Sequence, residues 1–353
     1  MLEISEIIAQ AQQKGASDIH IVTGLPVKCR IDGKVQNLTE KVLTWEDCEY
    51  YAKCLAGDLF HEIECIGELD LARTFPCGAR TRINLFRQQG AVSAAIRILA
   101  DTIPEIEALN LPPVVSEFPE YRSGIILVTG ETGSGKSTTL AAILNRINHT
   151  RRSHIITLED PIEYIYEPDQ CIINQREIGK DTRSYADGLR SILREDPDVI
   201  LIGEMRDYET ISLAMMAAET GHLVFGTLHT SSAAQTIDRI IDVCPIHAQN
   251  QVRNQLSNML QGIIAQSLVP RSDRNGRVAA VEVMLGTDAV KNHIRSNKIP
   301  QMETVMHGST RLGMQTHTES LAKLYKTGQI SYETALEYSN DRTEMEKKLL
   351  SGI

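Results

Sequence analysis

The sequence predicts an α/β protein of two domains, and three observations carry that reading. Residues 125–129, 155–158, 198–204 and 223–228 are apolar runs of strand length, suited to a sheet covered on both faces. After the first of them comes Gly130 to Thr138, reading GETGSGKST, and then helix formers with apolar residues at helical spacing as far as Ile147. Residues 18–99 behave differently, reading as short strands and a helix of a smaller α+β domain. We therefore expect a first domain over residues 1–100, a linker over 101–119 and a second domain over 120–353.

Composition narrows the class. With 353 residues the chain is long enough for two cores, and its net charge of −10 without a basic stripe argues against a nucleic-acid partner. The longest apolar runs are far too short to span a bilayer, and the N-terminal MLEISEIIAQAQQK has no signal-peptide hydrophobic region. A cytoplasmic protein is expected. The seven cysteines are scattered and include no C-x-x-C, which suits a reducing compartment and offers no clustered zinc ligands.

In the first domain, Leu2, Ile4, Ile7, Ile8 and Ala11 follow a helical period and Gly15 stops the run. Residues 18–23 and 27–31 read as strands, with Asp32-Gly33 as a hairpin turn into 34–36. Thr44 before Trp45-Glu-Asp47 reads as the cap of a helix running to about Leu55. Strand alternation returns over residues 68–99 and puts Arg80 and Arg82 on one face, with Arg97 near the end of the next strand. These arginines are either a solvated face or groups that reach a nucleotide bound elsewhere. Pro104, Pro112, Pro113 and Pro119 break the pattern of the acidic stretch that follows, hence the linker.

The GETGSGKST stretch fits G-x-x-x-x-G-K-[ST], and it sits between a strand and a helix as that motif requires. Gly130, Gly133 and Gly135 allow successive backbone N–H groups to turn toward a polyphosphate. Lys136 adds a charge for its β- and γ-phosphates, and the Ser137 hydroxyl is placed for Mg²⁺. The candidate nucleotide-binding set is Gly130, Thr132, Gly133, Ser134, Gly135, Lys136, Ser137 and Thr138. The next strand ends in Glu159-Asp-Pro-Ile-Glu163, and 198–204 closes on Glu204, a Walker B pattern whose carboxylate would hold Mg²⁺ directly or through water. His222 and His229 bracket the fourth strand. Their spacing of seven puts them at opposite ends, so zinc is disfavoured, and His229 is free to hydrogen-bond a γ-phosphate or a carboxylate.

Together, GETGSGKST, LEDPIEY, RSILREDPDVILIGEMRD and AAETGHLVFGTLHTSSA resemble the secretion and type IV pilus ATPases. The resemblance implies a RecA-like P-loop ATPase domain behind an N-terminal PAS-like domain, a homohexamer, and ATP with Mg²⁺ as cofactors. It makes Glu163, the second glutamate of the acidic box, the base that orients attacking water. It also lays the N-terminal domain of one subunit over a neighbour's nucleotide site, where Arg82 and Arg97 would act in trans, with Arg80 behind them. The implied partners are an inner-membrane pilus platform protein and the pilus assembly ATPase, with peripheral attachment to the cytoplasmic face of that membrane through them. GASDIHI, QSLVPR and GMQTHTESLAKLYKTGQIS, with no cysteine pairs near Ile263–Arg271, are similar to the compact retraction branch; His317 departs from the hydrophobic residue common there. An assembly or secretion ATPase is the alternative within the family. Outside it stand a DNA motor and a scaffold with negligible hydrolysis.

Overall fold

The computed structural model describes residues 2–31, 33–99 and 102–350. The chain divides into two compact units, Met1–Thr102 and Ile103–Ile353.

The first unit begins with α1 (Ile4–Gln13), whose Ile4, Ile7, Ile8 and Ala11 are buried on one side as their spacing requires. Strands β1 (Asp18–Ile21), β2 (Pro26–Ile31) and β3 (Lys34–Val42) lead to α2 (Trp45–Ala56), where Thr44 and Asp47 cap each other reciprocally. A short helix α3 (Phe60–Cys65) precedes β4 (Glu68–Thr74), β5 (Arg80–Gln88) and β6 (Ala91–Ile98). These strands form one antiparallel sheet in the order β3-β2-β1-β6-β5-β4. Ile7, Ile8, Tyr51 and Leu55 from the helices pack on Ile19, Ile83, Leu85 and Ile96 of the sheet. The β2–β3 hairpin pairs Ile31 with Lys34, but Asp32 of the expected turn lies outside the described residues.

The second unit is organised by β7 (Gly124–Thr129), buried at every position. It is followed by α4 (Lys136–Thr150), β8 (His154–Glu159), β9 (Ile172–Glu177), α5 (Tyr185–Ile192), β10 (Val199–Ile202), α6 (Tyr208–Glu219) and β11 (Leu223–Leu228). Then come α7 (Ala233–Asp242), α8 (Ile246–Met259), β12 (Leu260–Pro270), β13 (Arg277–Leu285), α9 (Asp288–Arg295) and α10 (Met302–Gly308). The chain closes with α11 (His317–Lys326), α12 (Tyr332–Glu337) and α13 (Arg342–Leu350). The sheet order is β13-β12-β7-β11-β10-β8-β9, parallel throughout except for the β12–β13 pair.

Alternation along these strands explains the continuous apolar runs. Ile125, Leu127, Ile156 and Ile200 face one side, with residues of α5, α6, α7 and α8, while Ile126, Val128, Ile155 and Leu201 face α4 on the other.

The expected linker needs correction. Ile106–Leu109 and Pro113–Glu120 form 3₁₀ turns, and Ile106, Val115 and Phe118 are buried in the core shared by β7 and α4. Proline bars an α-helix here but leaves the apolar residues free to pack. Arg151 fastens the segment by donating to the carbonyls of Pro119 (3.0 Å) and Tyr121 (2.9 Å), and Arg146 pairs with Glu107 (2.6 Å) and Glu105 (3.4 Å).

Candidate active site

Parallel strands deliver their carboxyl ends to one edge of the sheet, where open α/β sheets bind ligands. Thr129 of β7 pairs with Leu228 of β11, Gly226 of β11 with Ile202 of β10, and Ile202 with Leu158 of β8. Gly130, His229, Gly203-Glu204 and Glu159 therefore leave the sheet side by side.

The loop from Gly130 to Gly135 uses glycine where geometry demands it. Gly130, Gly133 and Gly135 have φ of +142°, +79° and +92°. A Cβ on Gly130 would also meet Ser134 Oγ at 2.5 Å and run into the Gln266 carbonyl. The cradle is thus built for backbone donors, with the first turn of α4 behind it. Lys136 Nζ donates to the carbonyls of Gly130 (2.7 Å) and Glu131 (2.9 Å). Burial lowers its pKa, while the charges of Glu204 and Glu163 oppose that shift. One lysine thereby senses carboxylates from two different strand ends. Thr138 Oγ1 lies 2.9 Å from Tyr164 Oη, one residue beyond Glu163.

Glu204 is mostly buried, and its carboxylate faces His229 Nε2 at 3.2 Å and is paired with the exposed Arg206. Glu163 is exposed, on the irregular stretch after β8. Glu159 is a different kind of acid: burial raises its pKa, against hydrogen bonds from Thr157, Gln175 and the Glu163 backbone. Tyr185 shares this acidic neighbourhood, and burial together with the charges of Asp160, Glu204 and Glu159 pushes its phenol up. His222 lies at the far end of β11, where its Nδ1 is 2.8 Å from the Ala217 carbonyl.

Sequence reasoning passes over Gln266. Its Nε2 donates to the Ser134 carbonyl (2.7 Å) and its Oε1 accepts from Thr139 Oγ1 (2.9 Å), so one buried amide clasps the phosphate loop to the helix behind it. The only local signal is a polar residue inside the apolar strand β12, and its partner Thr139 is 127 residues away. Arg206 is missed for the opposite reason, since an exposed arginine beside an aspartate reads as surface charge. A cavity of about 320 Å³ lies against the loop, lined by Glu131, Thr132, Ser134, Gln266, Arg277 and His317 among others.

The arginines expected to act in trans lie in the first unit. Arg82 and Arg97 are exposed and directly opposite each other across β5 and β6. Arg97 Nε also donates to Asp18 Oδ1 at 3.0 Å. Burial raises the Asp18 pKa, but hydrogen bonds from Ser17 and Arg97 outweigh it and hold the carboxyl low.

Residues 79–353 match the type II/IV secretion system protein family. The chain is 44% identical over 337 residues to the type IV pilus retraction ATPase PilT of Pseudomonas aeruginosa, covering 95% of this chain and 98% of that protein. The crystal structure of the pilus retraction motor PilT with bound ADP superposes with a TM-score of 0.91 at 46% identity, over 98% of this chain and 100% of that one. The X-ray structure of the Legionella pneumophila ATPase DotB gives 0.83 at 28% identity, over 99% and 95%. The second unit is the RecA-like ATPase domain that the motifs announced. With a phosphate loop and acid-tipped strands on this sheet, and likeness over nearly its whole length, the chain belongs to the type II/IV secretion system protein family.

Proposed function

We propose that the protein is a homohexameric, Mg²⁺-dependent ATPase motor that couples ATP hydrolysis to retraction of a type IV pilus. Its partner would be a platform protein at the cytoplasmic face of the inner membrane. The observation that carries the reading is the convergence of Lys136, Glu204, Glu163 and His229 on one sheet edge, with both glutamate charges acting on the lysine. In this reading the backbone of Gly130–Gly135 and Lys136 bind the β- and γ-phosphates, and Thr132, Ser134 and Thr138 complete the cradle. Glu163 takes the proton of the attacking water, and His229 orients Glu204 or the γ-phosphate. Ser137 and Glu204 supply the hard oxygen donors that suit Mg²⁺, which would neutralise charge on the β- and γ-oxygens when bound. Arg82 or Arg97 from a neighbouring subunit would balance charge developing in the transition state.

Likeness over the full length of a retraction ATPase favours retraction over assembly or secretion. Loss of the gene should then leave cells hyperpiliated; bald cells would point to assembly. At the level of chemistry, Lys136→Ala should abolish nucleotide binding or turnover, because a charge-assisted contact disappears from a site shaped to replace water. A steady-state ATPase assay checks this, and near-normal turnover would sink the reading.

A further inference from the structure

Glu282 of β13 is a buried carboxylate that the hydrolysis reading leaves unused. It is 8% exposed, and burial raises its pKa against hydrogen bonds from the backbone of Ala233 and His317. Its Oε1 accepts the Ala233 N–H at 2.7 Å and its Oε2 accepts the His317 N–H at 3.4 Å. Those two residues open α7 and α11, so one carboxylate is shared between two positive helix ends. A carboxylate is buried at a cost that only such partners offset.

What hangs from those two helix ends is the reason to assign it more than a structural duty. The α7 end is the far anchor of the loop that carries His229. Thr230, next to His229, places its Oγ1 2.7 Å from Thr236 Oγ1, and Thr236 reaches Thr129 Oγ1 at the end of β7 (3.4 Å). At the α11 end, His317 Nε2 lies 3.0 Å from Ser267 Oγ, and Ser267 follows Gln266, the clasp on the phosphate loop. Glu282 thus sits where the histidine loop and the phosphate-loop support meet.

We propose that Glu282 is a positioning residue for hydrolysis: its carboxylate fixes the first turn of α7, and with it the His229 loop facing Glu204, in register with the first turn of α11. The assignment rests on the reading of His229 given above. A glutamine at this site keeps the shape but turns an amide N–H toward one of the two donors, so one bond is lost and a donor is left facing a donor.

The test is a kinetic cycle on the full-length protein. Glu282→Gln should lower kcat by roughly 10- to 100-fold, the usual cost of loosening a group that orients a reacting one, with ADP affinity unchanged. In a His229→Ala background the same change should have little further effect, because its target is already gone. Wild-type kcat in Glu282→Gln, a parallel fall in ADP affinity, or multiplicative losses in the double variant would overturn the proposal. Wild-type kcat in His229→Ala alone would instead overturn the role given to His229. Should Glu282→Gln fail to fold, hydrogen exchange on the wild type decides: a non-hydrolysable ATP analogue should slow exchange in the first turns of both α7 and α11, and protection confined to α7 would refute the coupling.

Discussion

Glu163 and Glu204 differ in setting, and the difference assigns them different failures. Glu163 is exposed on a loop, whereas Glu204 is mostly buried against His229 and Arg206. Glu163→Gln should therefore still bind ATP but turn it over about 10²–10⁴-fold more slowly, the usual contribution of a general base. Glu204→Gln should lose activity with a steeper dependence on Mg²⁺ concentration. Measuring kcat across a magnesium titration separates them, and normal turnover by Glu163→Gln would reverse the assignment. A third residue makes a pH-dependent prediction. Burial lowers the His317 pKa from 6.5 to about 4, and its Nδ1 has no hydrogen-bond partner among the described residues. The unfolded chain takes up that proton first, so stability falls as pH drops from about 6.5 to about 4 and levels off below. At about 1.36 kcal/mol per pH unit the loss approaches about 3 kcal/mol. Denaturation midpoints over this range should show wild type losing more than His317→Leu; identical slopes would contradict the buried, neutral ring.

At the scale of elements, β7, β8, β10 and β11 were readable because each is a continuous apolar run whose sheet is covered on both faces, whereas the polar edge strand β9 carries no such run. The phosphate loop was readable because its chemistry is local: six residues, Gly130 to Gly135, and a lysine carry their own geometry. What escaped the sequence depends on partners far along the chain. Gln266 acquires its meaning only when β12 is laid beside β7, and Phe118 only when the proline-rich turns fold onto α4. Nothing in the spacing of the prolines says that the stretch is docked. Phe118 is fully buried, and Gly262 approaches its ring so closely that a Cβ there would lie 2.7 Å from it. Phe118→Ala should cost about 3–5 kcal/mol, as large-to-small core changes do. Chemical denaturation of the full chain measures this, and a loss below about 1 kcal/mol would return the segment to the status of a spacer.

At the scale of the whole molecule, the pairing of Arg82 with Arg97 sets two like charges opposite each other, a repulsion that Asp18 offsets at Arg97 and that a further anion would offset at Arg82. If a neighbour's phosphates are that anion, mixed rings reveal it. Combining Arg82→Ala or Arg97→Ala subunits with Glu163→Gln subunits should restore partial ATPase, from interfaces that join an intact arginine to an intact glutamate. Unchanged activity in both arginine variants alone would leave them as surface charges, worth about 0–1 kcal/mol each.

The β12–β13 hairpin has a mechanical consequence. β12 stays beside β7 only as far as the pair Ala265 and Thr129, yet it remains bonded to β13 from Gln266 to Pro270. Those last pairs project past the edge of the sheet, and Val269, Val278 and Ala280 carry Leu321, Ala335 and Met345 of α11, α12 and α13. The arrangement is a cantilever, rooted at the residue that grips the phosphate loop and loaded at its free end. With about 3.3 Å per residue the overhang is roughly 16 Å, so a tilt of about 10° at the root sweeps the loaded end through roughly 3 Å.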